Sequence, residues 1–286
     1  MFPMNTSPID LLDSSRRFRP SGRLPRFGFT LVELMVVTSI VGVMLSLLLT
    51  GINGARESAR RAHCSNNLRQ LALGLHQFHG THDRFPIGND VANGNFHSWI
   101  TSVLPHIEQS SIAERFHAKL PWDDPQNREM TFSVIPTLRC PSSLIDFPGD
   151  TDYAGIIGSA MASEISFEGV GLNNGVLIES SENRRRGVSI TEIFDGSSYT
   201  ICISEVVDRL EDEHGLWADG RSCISHDNGA INVDNSDEIF SFHPGGAHVV
   251  LSDGATRFLS ESIDPKLIGA LCSRKGRENV QEIFGY

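Results

Sequence analysis

RFGFTLVELMVVTSIVGVMLSLLL, residues 26–49, decides how the rest of this 286-residue chain is read. From Leu34 to Ile52 there is no charged residue. Counted from Phe29, the apolar run is about 24 residues, roughly 36 Å as a helix rising about 1.5 Å per residue, which is long enough to cross a bilayer. One carboxylate, Glu33, interrupts it just after Arg26-Phe27-Gly28. A charge at the bilayer centre costs about 2.5–3.5 kcal/mol on insertion scales and less near the interface. Glu33 therefore calls for a positive partner, or for a place at the membrane boundary where it can snorkel. A secretory signal has a shorter apolar region, with its cleavage site after that region. Here the processing-like junction, Gly28-Phe29, comes before it.

The flanks carry opposite charge. Residues 1–28 hold Arg16, Arg17, Arg19, Arg23 and Arg26 against Asp10 and Asp13, a net +3 in a chain of formal charge −11, which leaves the remainder near −14. An acidic main domain argues against nucleic acid as its partner. The leader arginines favour a cytoplasmic N-terminus, but Arg56, Arg60 and Arg61 follow the apolar run, so charge bias alone does not set the orientation. Five cysteines (Cys64, Cys140, Cys202, Cys223 and Cys272) occur with no CxxC spacing, which excludes a zinc knuckle or a thioredoxin-like motif.

A basic leader, a glycine and then FTLVELMVV resembles the prepilin-type cleavage and methylation signal of type IV pilins and type II secretion pseudopilins. The resemblance implies that a prepilin peptidase cuts between Gly28 and Phe29, that Phe29 becomes the methylated first residue, and that Glu33 is the fifth residue of the mature chain. It also implies that Glu33 sets subunit register by pairing with the new amino terminus of the same or a neighbouring subunit. The implied location is the cytoplasmic membrane, crossed once, with the C-terminal domain extracytoplasmic. The implied partners are the peptidase, other pilin-like subunits and inner-membrane assembly machinery.

No proline occurs between Phe29 and Phe85, so one helix can run from the membrane into solution. Ala55, Ala59 and Ala62 form a small-residue stripe. Leu68, Leu71, Leu75 and Phe78, at three- and four-residue steps, form an apolar face that needs a cover. HCSNNLRQLALGLHQFHGTHDRFPIG, residues 63–88, resembles the segment after the prepilin signal in the DUF1559 family, through Cys64, Asn66, Asn67, Leu68, Gln70, His76, His79, Phe85 and Pro86. Asn66 and Asn67 are read as a polar helix face in water. His63, His76, His79 and His82 lack an acidic or cysteine ligand to complete a metal set, so no metal is expected there.

Residues 90–180 have an α+β texture of short apolar pieces between Pro and Gly. RCPSS, residues 139–143, resembles the same family's CPS segment, and by that resemblance Cys140 is the disulfide partner chosen for Cys64. GVSITEIFDGSSYTICISEVVD, residues 187–208, reads as a short helix, a turn at Asp195-Gly196, and a strand with Tyr199, Ile201 and Ile203 on one face. FHPGGAHVVLSDGATRFLSESIDP, residues 242–265, reads as a hairpin about an Asp253-Gly254 turn, followed by a helix with Asp264 as N-cap and Pro265 at its first position. It also resembles the family's H-x9-DG motif, with His243, Asp253 and Gly254. His243 is expected to bond a loop carbonyl or carboxylate, metal or ligand binding being the alternative.

No GxSxG elbow, P-loop or GxGxxG is present, so an enzyme is not expected. The acidic stretches Asp208–Glu213 and Asp234–Glu238 could hold Ca²⁺ but match no pseudopilin calcium loop and are read as solvated. The implied architecture is α+β and pilin-like: a leader (1–28), a membrane-spanning half-helix (29–52), an amphipathic half-helix (53–80) and an antiparallel-sheet domain with long loops (81–286). The implied function is a filament subunit. A membrane-anchored module that binds a carbohydrate or surface protein without polymerising is the alternative.

Overall fold

A computed structural model describes residues 28–145, 147–161, 173–209, 215–227, 229–235 and 237–276. All but the last residue of the expected leader, 1–28, lies outside them. The chain divides into two units, Met1–Ile52 and Asn53–Tyr286. Helix α1 spans Leu31–His82, 52 residues, and ends two positions beyond the expected 80. Its start is a capping box. The Thr30 hydroxyl accepts from the Glu33 backbone N–H at 3.2 Å, while the Glu33 carboxylate accepts from the Thr30 N–H and hydroxyl, both at 2.9 Å. Apolar side chains from Leu31 to Leu49 are exposed, and α1 is apolar and long enough to cross a membrane.

In the second unit the described residues form a five-stranded sheet: β1 (Tyr153–Gly158), β2 (Ile201–Glu205), β3 (Cys223–Ser225), β4 (Gly246–Leu251) and β5 (Thr256–Ser260), in the order β3-β1-β2-β4-β5. Three pairings are antiparallel, but β3 joins β1 in parallel, so the sheet is mixed rather than antiparallel throughout. The cause is topological. β3 returns to the far edge of β1 after β2 has taken the near edge, and it arrives running the same way.

Both faces are covered, which is why β1, β2 and β4 are buried at nearly every position instead of alternating apolar and polar. One face packs Tyr153, Cys202 and Val250 with Leu68, Leu71 and Leu75 of α1 and with Trp99, Ile100 and Val103 of the short helix α2 (Trp99–Val103). The other packs Ala154, Ile156, Ile201, Val249 and Leu251 with Ile268 and Leu271 of the final helix. That helix, Pro265–Cys272, starts as read: Asp264 accepts from the Lys266 N–H at 2.9 Å, with Pro265 at its first position. The apolar stripe of α1 is thus core, and Leu71 and Leu73 make a contrast. Leu71→Ala empties a fully buried site and is expected to cost about 2–5 kcal/mol, whereas Leu73, 58 % exposed, is expected to change stability by no more than about 0.5 kcal/mol. Thermal unfolding of the two variants tests the assignment of the inward face.

The hairpin β4–β5 forms with a three-residue loop, Ser252-Asp253-Gly254, rather than a two-residue Asp-Gly turn. The Leu251 N–H donates to the Ala255 carbonyl, the Gly254 N–H donates back to the Leu251 carbonyl, and Gly254 alone takes a positive φ, +89°. The strand expected from Tyr199 begins at Ile201, because Ser197–Tyr199 close a single 3₁₀ turn first.

Candidate functional site

Four chemistry-bearing side chains from four parts of the chain meet in the interior of the second unit. Cys64 lies on α1, on the stripe that continues through Leu68, Leu71 and Leu75. Cys140 follows the 3₁₀ turn Pro136–Leu138, Glu205 ends β2, and His243 sits three residues before β4. Their ligand-type atoms all lie within 4.8 Å of one another, and all four residues are buried. Cys64 and Cys140, the pair expected to form a disulfide, are adjacent free thiols with sulfurs 2.8 Å apart. The hydrogen bond between them is the largest influence on each, holding the Cys140 thiol below its ordinary pKa and driving that of Cys64 far up. Cys202, Cys223 and Cys272 are buried elsewhere, and burial pushes their thiols up.

His243 finds a carboxylate, as expected of it, but on α1 rather than in a loop. Its Nδ1 stands 2.7 Å from Glu57 Oε1. Its Nε2 faces the Cys140 sulfur and the Glu205 Oε1 oxygen, each at 3.7 Å. Burial is the largest single influence and opposes the imidazolium, yet Cys140, Glu205 and Glu57 together hold the His243 pKa above its ordinary value. Glu57 is also paired with Arg60 and Arg61, at 2.6 and 3.2 Å. Arg61 reaches on to the Pro244 carbonyl and lies 4.6 Å above the Phe258 ring. Glu205 is held by His248 at both oxygens, its Oε2 accepting from the His248 N–H at 2.7 Å and its Oε1 lying 3.1 Å from the His248 Nδ1. The Cys140 N–H donates to Asp152 at 2.6 Å, and Arg139 pairs with Asp150.

The H-x9-DG motif is divided by the fold. His243 precedes β4 and Asp253-Gly254 follow it, and a six-residue strand separates them by roughly 17–20 Å. Asp253 accepts from the Ala255 N–H at 2.8 Å and shapes the hairpin loop. Gly254 lies where a Cβ would press on the His76 ring, 3.2 Å away. His76, His79 and His82 are packing residues: His76 and His79 lie against Phe85, and His82 stacks on Phe78.

Asn67, read as part of a solvated face, is buried, and its amide donates to the Arg139 carbonyl at 2.8 Å and to the Tyr153 hydroxyl at 3.3 Å. Asn66 is exposed, as expected. The acidic stretches lie partly outside the described residues. Asp208 accepts from the Leu144 and Ile145 N–H groups at 2.8 and 3.2 Å, and Asp237 pairs with Arg209 at 2.5 Å.

Comparison with known proteins gives three findings. Residues 53–232 and 224–266 match the family described as "Protein of unknown function (DUF1559)", and residues 23–49 match the prokaryotic N-terminal methylation motif. The competence protein ComGC of Halalkalibacterium halodurans is 33 % identical over 64 residues, 22 % of this chain and 63 % of that protein. The chain therefore spans less than two thirds of that curated relative's length. No solved structure matches the chain.

Proposed function

This chain belongs to the DUF1559 family, and from that membership and its N-terminal methylation motif we propose that it is a pilin-like structural subunit made as a membrane-anchored precursor. A prepilin peptidase cuts it between Gly28 and Phe29, and the new Phe29 amine is methylated. The helix then assembles the subunit with other pilin-like subunits, through inner-membrane machinery, into a type IV pilus-like or type II secretion pseudopilus-like filament. The second unit lies outside the cytoplasmic membrane.

The observation that carries this reading is the coincidence of three features on one short segment. The methylation motif matches residues 23–49. Gly28 and Phe29 are exposed and stand immediately before α1, where a peptidase can reach the bond. The side chains that follow present an apolar surface that only lipid or neighbouring apolar helices would cover. The partial likeness to a competence protein supports the same reading.

Intact-mass and N-terminal analysis of the protein from native membranes, with sheared surface material analysed alongside, tests it. The expected result is a chain beginning at methylated Phe29 in both fractions. An intact leader would overturn the processing step. Phe29 found in membranes but never in sheared material would replace the filament with an anchored, non-polymerising module.

A further inference from the structure

We propose that Cys64, Cys140, Glu205 and His243 are the ligands of a structural zinc ion that ties α1 to the sheet. Two thiolates, an imidazole and a carboxylate are the donor types zinc takes, and among divalent cations the sulfur pair selects zinc over magnesium or calcium. Bonds of about 2.0–2.3 Å in a tetrahedron place neighbouring donor atoms about 3.3–3.8 Å apart. The His243 Nε2 lies 3.7 Å from both the Cys140 sulfur and the Glu205 oxygen, and no pair in the set exceeds 4.8 Å. The sulfurs, at 2.8 Å, form an edge too short for two ligands of one ion and must part by about 1 Å on binding.

Two further observations fit a metal site. First, Nε2 of the buried His243 aims into the cluster, where it meets the Cys140 sulfur in a long hydrogen bond at 3.7 Å and the Glu205 Oε1 oxygen at 3.7 Å. Because the Glu57 carboxylate can only accept, Nδ1 must carry the proton of the neutral ring, which turns the Nε2 lone pair toward the sulfurs. Second, the ligands have the outer support that orients metal donors: Glu57 behind the imidazole, His248 on both oxygens of Glu205, and Asp152 on the backbone of Cys140. Four buried protein ligands leave no open position, so the ion would be structural rather than catalytic. This inference does not depend on whether the chain is processed or assembles.

The test uses the full chain without a histidine tag, solubilised in detergent, reduced, and dialysed against micromolar zinc. Elemental mass spectrometry is expected to find one zinc per chain. A chelator is expected to lower the unfolding temperature and to make the Cys64 and Cys140 thiols newly reactive to a maleimide. Cys140→Ser is expected to weaken zinc binding by about tenfold or more, while Cys202→Ser, buried outside the cluster, leaves it unchanged and serves as the folding control. Chelation of wild type gives the same answer without a variant. The proposal is overturned if the reduced chain takes up no zinc, if Cys140→Ser binds zinc as wild type does, or if the native chain carries a Cys64–Cys140 disulfide, seen as linked peptides lacking two hydrogens.

Discussion

Glu33→Gln is expected to lower the yield of sheared filament about tenfold or more, with processing at Gly28 and the membrane level of the subunit unchanged. The proposed assembly gives this carboxylate a charge role beside the helix cap that the structure shows. In the structure Glu33 closes a capping box on Thr30, and glutamine can do the same through its amide oxygen, so the substitution leaves the helix start intact. The proposed cleavage after Gly28 would also spare the Phe29–Thr30 peptide and with it the cap. What glutamine cannot supply is charge.

A positive amine at Phe29 of a neighbouring subunit, placed in an apolar environment without a counter-charge, meets a cost of up to about 2.5–3.5 kcal/mol, and about 1.4 kcal/mol already corresponds to a tenfold change. Quantitative immunoblotting of sheared material, normalised to processed subunit in membranes, reads the effect. Glu33→Ala removes both cap and charge. If Gln assembles like wild type while Ala fails, the carboxylate acts only as a cap; if both assemble like wild type, neither duty matters to the filament.

The parts of this fold legible in the sequence are those encoded over short spans. The α1 stripe, the β4–β5 hairpin and the Asp264-Pro265 helix start each depend on residues within a few positions of one another, and each is found where periodicity and turn chemistry place it. The capping box is equally local, as Thr30-x-x-Glu33. Asn67 departs from the solvated-face expectation because of its place on the helix. It lies three residues after Cys64 and one before Leu68, on the buried stripe itself, and spacing alone would have turned it inward. The strand β3 spans only Cys223–Ser225, too short to show an alternation, and its parallel pairing follows from the order in which sheet edges fill. Of the Cys64–Cys140–Glu205–His243 cluster, the family resemblance pairs the two cysteines, but nothing in the sequence joins Glu205 and His243 to them. The cluster's contacts join residues 38, 76 and 103 positions apart along the chain, and only the packed sheet brings them together.

Gly187→Ala is expected to be among the most disruptive single changes in the second unit. The Phe85 N–H donates to the Val188 carbonyl at 2.8 Å, Arg84 donates to the Gly187 carbonyl at 3.2 Å, and Arg84 also pairs with Glu192 at 2.9 Å, so this strip of chain lies flush on the residues just beyond α1. A Cβ on Gly187 would overlap the Phe85 carbonyl oxygen and stand 2.9 Å from its carbon. The obstruction is backbone, which cannot rotate aside as a side chain can, so relief requires the two segments to separate and the hydrogen bonds between them to break. The expected cost is about 3 kcal/mol or more, a fall of about 10 °C in Tm for a unit of this size.

Gly229→Ala, where a Cβ meets nothing within 4 Å, is the control and is expected to leave Tm within about 2 °C of wild type. Equal melting of the two variants would show that the Phe85–Gly187 contact gives way easily. The same variant also separates the two units functionally. On the proposed processing, whose signal is confined to residues 23–49, Gly187→Ala chains are expected still to begin at Phe29 in membranes. A destabilised second unit should keep them from accumulating and from entering filaments. A variant left uncut would instead mean that the peptidase requires a folded second unit, and the processing step would then depend on far more of the chain than the segment that carries its signal.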